Sequence, residues 1–200
     1  MQTTVELVRE ETQAASLQEK AAIFEQLMHA SGAYKNDFYL SRIISSWVVD
    51  QGALPKNLGL SDENYQDLVT RHFYDQPLLA TVNNKAEFDR ERIPEWEDLV
   101  NLMLEFRAGN DWSERWIAEI VAAACMGLDH LWQDLGLWSR GELTEVLSLN
   151  FPELAMRNNK DMKWKKFLYK QLCERDSTFV CRAPSCDVCA DYHVCFGPEE

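Results

Sequence analysis

Six cysteines are the residues of this chain best suited to chemistry, and four of them crowd its last twenty positions as Cys181-x4-Cys186-x2-Cys189-x5-Cys195. A Cys-x2-Cys pair can place two thiolates on one metal while the flanking loops return one thiolate each. Thiolate is the soft donor that zinc, copper(I) and iron–sulfur clusters prefer. Zinc ribbons usually pair two such knuckles, whereas a single knuckle with unequal arms is a spacing that iron–sulfur ligand runs tolerate. The pattern predicts an iron–sulfur centre, with structural zinc and uncoordinated or disulfide-bonded cysteine as the alternatives.

The other two cysteines, Cys125 and Cys173, fall in sequence that reads as helix. Ile117, Ile120, Val121, Ala124, Leu128, Leu131 and Leu135 repeat with helical spacing and predict a buried stripe on one helix over Ser113–Leu135. Cys125 sits at the edge of that stripe, beside Val121 and Trp132. It is either a small buried hydrophobe or an inward-facing extra ligand assisted by Asp129. His130 lies five residues on, which in a regular helix turns it to the opposite side, so a site shared with Cys125 requires a distortion at Gly127. Imidazole suits a metal, and a surface pair with Asp134 is the plainer role for this histidine.

On a last helix from about Asn159 to Cys173, Trp164, Phe167, Leu168 and Leu172 face one way. Lys163, Lys166 and Lys170 line another face, and Cys173 continues that row. Ammonium groups beside a thiol favour its thiolate, and the same row can guide an oxyanion. Equally, it is the solvated face of an amphipathic helix. His193, with Asp191 and Tyr192 inside the Cys189–Cys195 loop, reads as a supporting or exposed residue rather than a general base.

Helices must position these groups, because helical periodicity dominates the chain and strand signals are weak. Ala21–Met28 and Phe38–Val49 read as helices, and the stretch Gln51–Gly59, holding Gly52, Pro55 and Gly59, breaks the pattern. Ser61 with Asp62 and Glu63 starts a third helix to about Phe73; Pro94 opens another to about Arg107, ended by Gly109. Asp111 with Glu114, and Ser139 with Glu142, have capping-box spacing, and the second pair opens Gly141–Leu149. The expectation is an all-α fold. It is a single helical domain over residues 1–200, comprising a helical N-terminal part (1–90), a helical core (91–175) and a cysteine-rich metal-binding tail (176–200).

With 200 residues and 46% hydrophobic content, the chain can build one proper core and needs no metal merely to fold. Glu6, Arg9, Glu10 and Glu11 interrupt the opening stretch, so no signal peptide or membrane span is drawn there, and a cytoplasmic location is expected. In that reducing compartment metal explains six cysteines better than disulfides do. The net charge of −13 repels a phosphate backbone, which excludes nucleic acid as a partner. One basic window, Arg157, Lys160, Lys163, Lys165, Lys166 and Lys170, contains Asp161 as its single acid and can attract an anion or an acidic protein. Phosphate-binding glycine loops, the G-x-S-x-G elbow and H-E-x-x-H are absent from the sequence.

The runs Cys125-Met-Gly-Leu-Asp-His-Leu-Trp-Gln-Asp, Phe151–Cys173 and Cys181–Pro198 resemble the nitrogen-fixation family NifQ, strongly over residues 90–200 and weakly before. The four-cysteine tail is the hallmark of that family. The resemblance implies a molybdenum-handling iron–sulfur protein, not an enzyme. Such a protein donates molybdenum to the scaffold and reductase proteins that assemble the nitrogenase iron–molybdenum cofactor, with molybdate as the incoming species. It carries Cys181, Cys186, Cys189 and Cys195 over as metal ligands, and Cys125, His130 and Cys173 as candidates. A four-iron cluster takes four thiolates, so the extra two suit part of a second cluster or a molybdenum-bearing corner. Other readings are an iron–sulfur electron-transfer protein and a zinc-stapled helical interaction domain. A DNA-repair glycosylase, which spaces its cluster C-x6-C-x2-C-x5-C on a basic surface, fits neither the first gap nor the charge.

Overall fold

The computed structural model of the chain describes residues 4–80, 82, 85–90, 94–175 and 192–196. Among these residues every regular element is helical, and the β-type pairing is an isolated antiparallel bridge between Ser31 and Phe73. The expected all-α domain is therefore observed. In chain order the helices are α1 (Thr4–His29), α2 (Asp37–Val48), α3 (Asp62–His72), α4 (Pro77–Ala80), α5 (Trp96–Glu105) and α6 (Trp112–Ala124). There follow α7 (Leu131–Asp134), α8 (Arg140–Asn150), α9 (Pro152–Arg157), α10 (Trp164–Arg175) and α11 (Tyr192–Cys195). A 3-10 turn at Lys56–Gly59 lies between α2 and α3.

Helix α6 is the spine. Only Trp112 and Arg115 of its thirteen residues are exposed, so it is covered on all sides, as its run of Ile, Val and Ala requires. Helices α3, α5, α7 and the 3-10 turn pack on it, α1 pairs with α2, α8 with α9, and α10 lies on α5. The core is one cluster, from Ile23 and Leu27 of α1 to Leu168 and Leu172 of α10. A buried polar knot ties α2, α6 and α8 together: the Asn36 amide donates to Ser113 Oγ (2.8 Å) and Asn150 Oδ1 (2.7 Å), and Asn150 donates back to Asn36 Oδ1 (2.8 Å). No helix among the described residues is long and apolar enough to cross a membrane.

The helix starts follow their caps. Ser61 accepts from Asn64 N (3.1 Å) at α3, and Ser139 accepts from Glu142 N (3.1 Å) at α8. The reciprocal half of each expected box is displaced upstream: Glu142 accepts from Trp138 N (2.8 Å), and Glu114 from Gly109 N (3.2 Å). Asp111 caps α6 through Ser113 N (2.8 Å).

The expected continuous helix over Ser113–Leu135 is not formed. Helix α6 stops at Ala124, Cys125 is its C-cap, and the chain turns through Met126–His130 before α7 begins. Leu128, expected in the buried stripe, is fully exposed. The cause is tertiary: the Asp134 carboxylate lies over Gly127, where a Cβ would fall well inside 3.0 Å of it. Glycine alone lets the carboxylate approach that closely. The expected last helix, from about Asn159, begins instead at Trp164, after a turn in which Asn158 Oδ1 accepts from Met162 N (2.8 Å) and Asn158 Nδ2 donates to Met162 O (2.9 Å).

Candidate metal centre

Helix α10 is the element on which the described cysteines converge. Trp164, Phe167, Leu168 and Leu172 are buried, as its amphipathic pattern predicts. Cys173 is half-buried near its C-terminal end, four residues after Tyr169 and eight after Lys165, so the three follow one another along one face. Arg175 then ties the end of α10 to Asp98 Oδ1 (3.3 Å) and Glu105 Oε1 (3.5 Å) around α5. At the other end, Lys163 N donates to Cys195 O (2.8 Å). That bond fastens α11 to the start of α10, and the adjoining Phe196 is buried in the core. The chain thus leaves α10 at one end and is fixed again at the other. Cys181, Cys186 and Cys189 lie outside the described residues. Cys195 is half-buried and His193 exposed, in keeping with a supporting or surface role for that histidine.

Cys125 meets α10 from α6. Its thiol is enclosed, and burial pushes its pKa up to about 12, against the pull of the Lys165 ammonium and with a smaller push from Asp134. Tyr169 is pushed up to about 12 as well, by burial and then by the charge that Cys125 would carry as a thiolate. Lys165, Asp134 and Tyr169 are thus within electrostatic reach of Cys125. Lys165 Nζ donates to the Asp134 carboxylate and to Gly127 O (2.8 Å), bridging from α10 to the turn that follows Cys125. A thiolate here needs a compensating cation, and a coordinated metal supplies one.

The candidate anion row is split by environment. Lys166 is exposed, Lys163 is half-buried beside the α11 junction, and half-buried Lys170 lies 3.6 Å from Glu174. His130 is the half-buried N-cap of α7, and its backbone N–H donates to Gln133 Oε1 (3.2 Å). Asp134, expected as its surface partner, is instead buried and bonded to Lys165. The distortion at Gly127 that a shared Cys125–His130 site requires is present. Among the described residues no three His, Cys, Asp or Glu side chains are grouped to hold a metal. The turn also lines a cavity of about 360 Å³ through Met126 and Gly127, together with Asp50, Lys85, Glu87 and Asp89.

Sequence reading missed Lys165, Asp134 and Tyr169. Lys165 is one of several lysines in a basic window, and nothing local distinguishes it. The available signal was Gly127, because a glycine in an otherwise helical run often marks a close approach.

Fold and site together define an all-helical protein whose described cysteines gather around one helix, two of them half-exposed thiols available as soft-metal donors. Residues 39–197 match the NifQ family, and the chain belongs to that family of nitrogen-fixation proteins. It is 47% identical over 174 residues to Protein NifQ of Azotobacter vinelandii, covering 82% of this chain and 89% of the relative. Protein NifQ of Klebsiella pneumoniae is 34% identical, with 79% and 96% covered, and that of Rhodobacter capsulatus 41% identical, with 81% and 88% covered. No solved structure matches. The family match runs back to residue 39, into the N-terminal part where the resemblance was weak.

Proposed function

We propose that the protein carries molybdenum on an iron–sulfur centre and delivers it to the scaffold and reductase proteins that build the nitrogenase iron–molybdenum cofactor. The observation that carries this reading is the four-cysteine tail in a chain of the NifQ family. Cys181, Cys186, Cys189 and Cys195 supply the thiolates of a [4Fe–4S]-type or molybdenum–iron–sulfur cluster. When bound, that cluster supplies sulfide and iron on which molybdenum can be held. Cys173, one turn beyond Tyr169, and Cys125 at the end of α6 are the additional donors, with His130 as a nitrogen donor from the turn. Lys163, Lys166 and Lys170 draw molybdate toward this basic end of a chain whose net charge is −13. No turnover is assigned: the protein holds, shields and releases a metal, and half-exposed ligands such as Cys173 and Cys195 suit a cargo that must leave.

The test is anaerobic purification from cells supplied with molybdate. Iron, sulfide, molybdenum and zinc are measured per chain for the wild type and for Cys186→Ala. Iron, sulfide and molybdenum present together, and lost together in the variant, support the carrier. Iron without molybdenum favours electron transfer, and zinc alone overturns both.

A further inference from the structure

We propose that Lys165 is a positioning residue that fixes Cys125 against α10, and so sets the spacing of the donors on α6, α10 and α11. Its role toward a metal rests on the carrier reading; its role toward Cys125 does not. Three observations converge on this side chain. Lys165 Nζ reaches two groups of the turn after α6, Gly127 O at 2.8 Å and the carboxylate of Asp134. Asp134 is buried and its backbone oxygen accepts from Ala53 N (2.8 Å), so the main chain that carries the carboxylate is anchored. Gly127 carries no Cβ at the one place where that carboxylate must lie.

The ammonium therefore bridges the junction between the turn and α10. Two residues before it, Lys163 N holds Cys195 O. Two turns after it, Cys173 lies on the same helical face. Lys165 thus ties the turn after α6 to the helix that carries Cys173 and to whose start Cys195 is bonded. A hydrogen-bonded ion pair with its carboxylate enclosed resists sliding, because moving either partner leaves an unpaired buried charge. A hydrophobic contact at the same place would fill space without fixing position.

The experiment uses the full-length protein without metal and then after reconstitution with iron, sulfide and molybdate. Lys165→Met removes the ammonium while keeping the stem, and Lys165→Arg restores a cation. Asp134→Asn with Lys165→Met removes both charges, so that a fold is retained if the single variant unfolds. In the metal-free protein, the rate at which Cys125 reacts with a thiol reagent is followed by peptide mass spectrometry, with the far-ultraviolet circular dichroism as a control for folding. The expected result is Cys125 labelling at least about tenfold faster in Lys165→Met and in the double variant, and near the wild-type rate in Lys165→Arg, at unchanged helicity. Unchanged labelling in the folded double variant overturns the proposal. After reconstitution, iron and molybdenum per chain fall by about half or more in the same two variants and recover in Lys165→Arg. A wild type that takes up no iron removes the carrier reading and leaves the labelling result standing; a wild type that loads normally beside variants that load equally well overturns the metal half of this inference alone.

Discussion

The three described cysteines differ in chemical availability because their surroundings differ, although all are free thiols. Cys125 is enclosed with its thiol pushed up to about 12, whereas Cys173 and Cys195 are half-buried. The thiolate is the reactive form, so alkylation at neutral pH in metal-free protein reaches Cys173 and Cys195 first and Cys125 only through local opening. Time-resolved mass spectrometry of the labelled peptides checks this order, and early labelling of Cys125 would contradict the enclosed site. Gly127 tests the same place by addition rather than removal. In Gly127→Ala the new methyl falls on the Asp134 carboxylate and displaces it from Lys165. Breaking a buried, hydrogen-bonded pair in this way costs about 3 kcal/mol, read from the urea midpoint at unchanged slope. A neutral outcome would mean that the carboxylate has room to move.

Between helices, polar contacts decide register where apolar packing alone would allow sliding. The Asn36–Ser113–Asn150 knot is fully buried, and its members face one another from α2, α6 and α8. Asn36→Ala removes three buried hydrogen bonds and leaves Asn150 Oδ1 without its donor, while Ser113 Oγ keeps Asp111 and Asn150 Nδ2 keeps Val146 O, a loss of about 2–3 kcal/mol. Adding Asn150→Ala costs less than it does alone, because the partner is already gone; a double-mutant cycle by denaturation measures that coupling. A second polar pair joins the start of α2 to the end of α3, with His72 Nδ1 2.5 Å from Asp37 Oδ1. Burial is the main influence on His72 and holds its pKa below 6.5, against the opposing pull of Asp37 and Asp111 and with help from Arg71. The unfolded chain then binds the proton more readily than the folded one, so stability falls as pH drops below 6.5. Unfolding free energy is expected to be level from pH 8 to about 6.5 and to decline from there to about 5, above the main carboxylate range. His72→Gln flattens that decline; if it does not, other groups carry the pH dependence.

Across the whole molecule, what could be read from sequence divides along the line between local and tertiary causes. Helices α2, α3, α5 and α8 were legible because period, cap and break are written in neighbouring residues: Ser61 and Ser139 cap where they were expected to. The stop after Ala124 was not legible, since Met126 and Leu128 are good helix formers and the interruption comes from Asp134 and Lys165. The cysteine tail was legible as spacing alone, whereas the fixing of its end to α10 through Lys163 depends on a backbone bond that spacing does not encode. That division leads to a prediction about how folding and metal binding are related. The core is assembled from α1 to α10, and among the described residues beyond Arg175 only Phe196 is buried in it. Of the described residues, a chain ended after Arg175 loses Phe196 as its buried aromatic anchor, about 2–3 kcal/mol of burial, and keeps the packing of α1 to α10. It is expected to retain its helical signal and a single cooperative urea transition with nearly the full-length slope, while binding no iron after reconstitution. Full-length protein stripped of metal should melt as cooperatively as the loaded form, with the loaded form more stable by the linkage of binding to the folded state. A truncated chain without a cooperative transition would show instead that the tail belongs to the folding unit, and that any metal it binds serves the fold as well as the proposed carrier role.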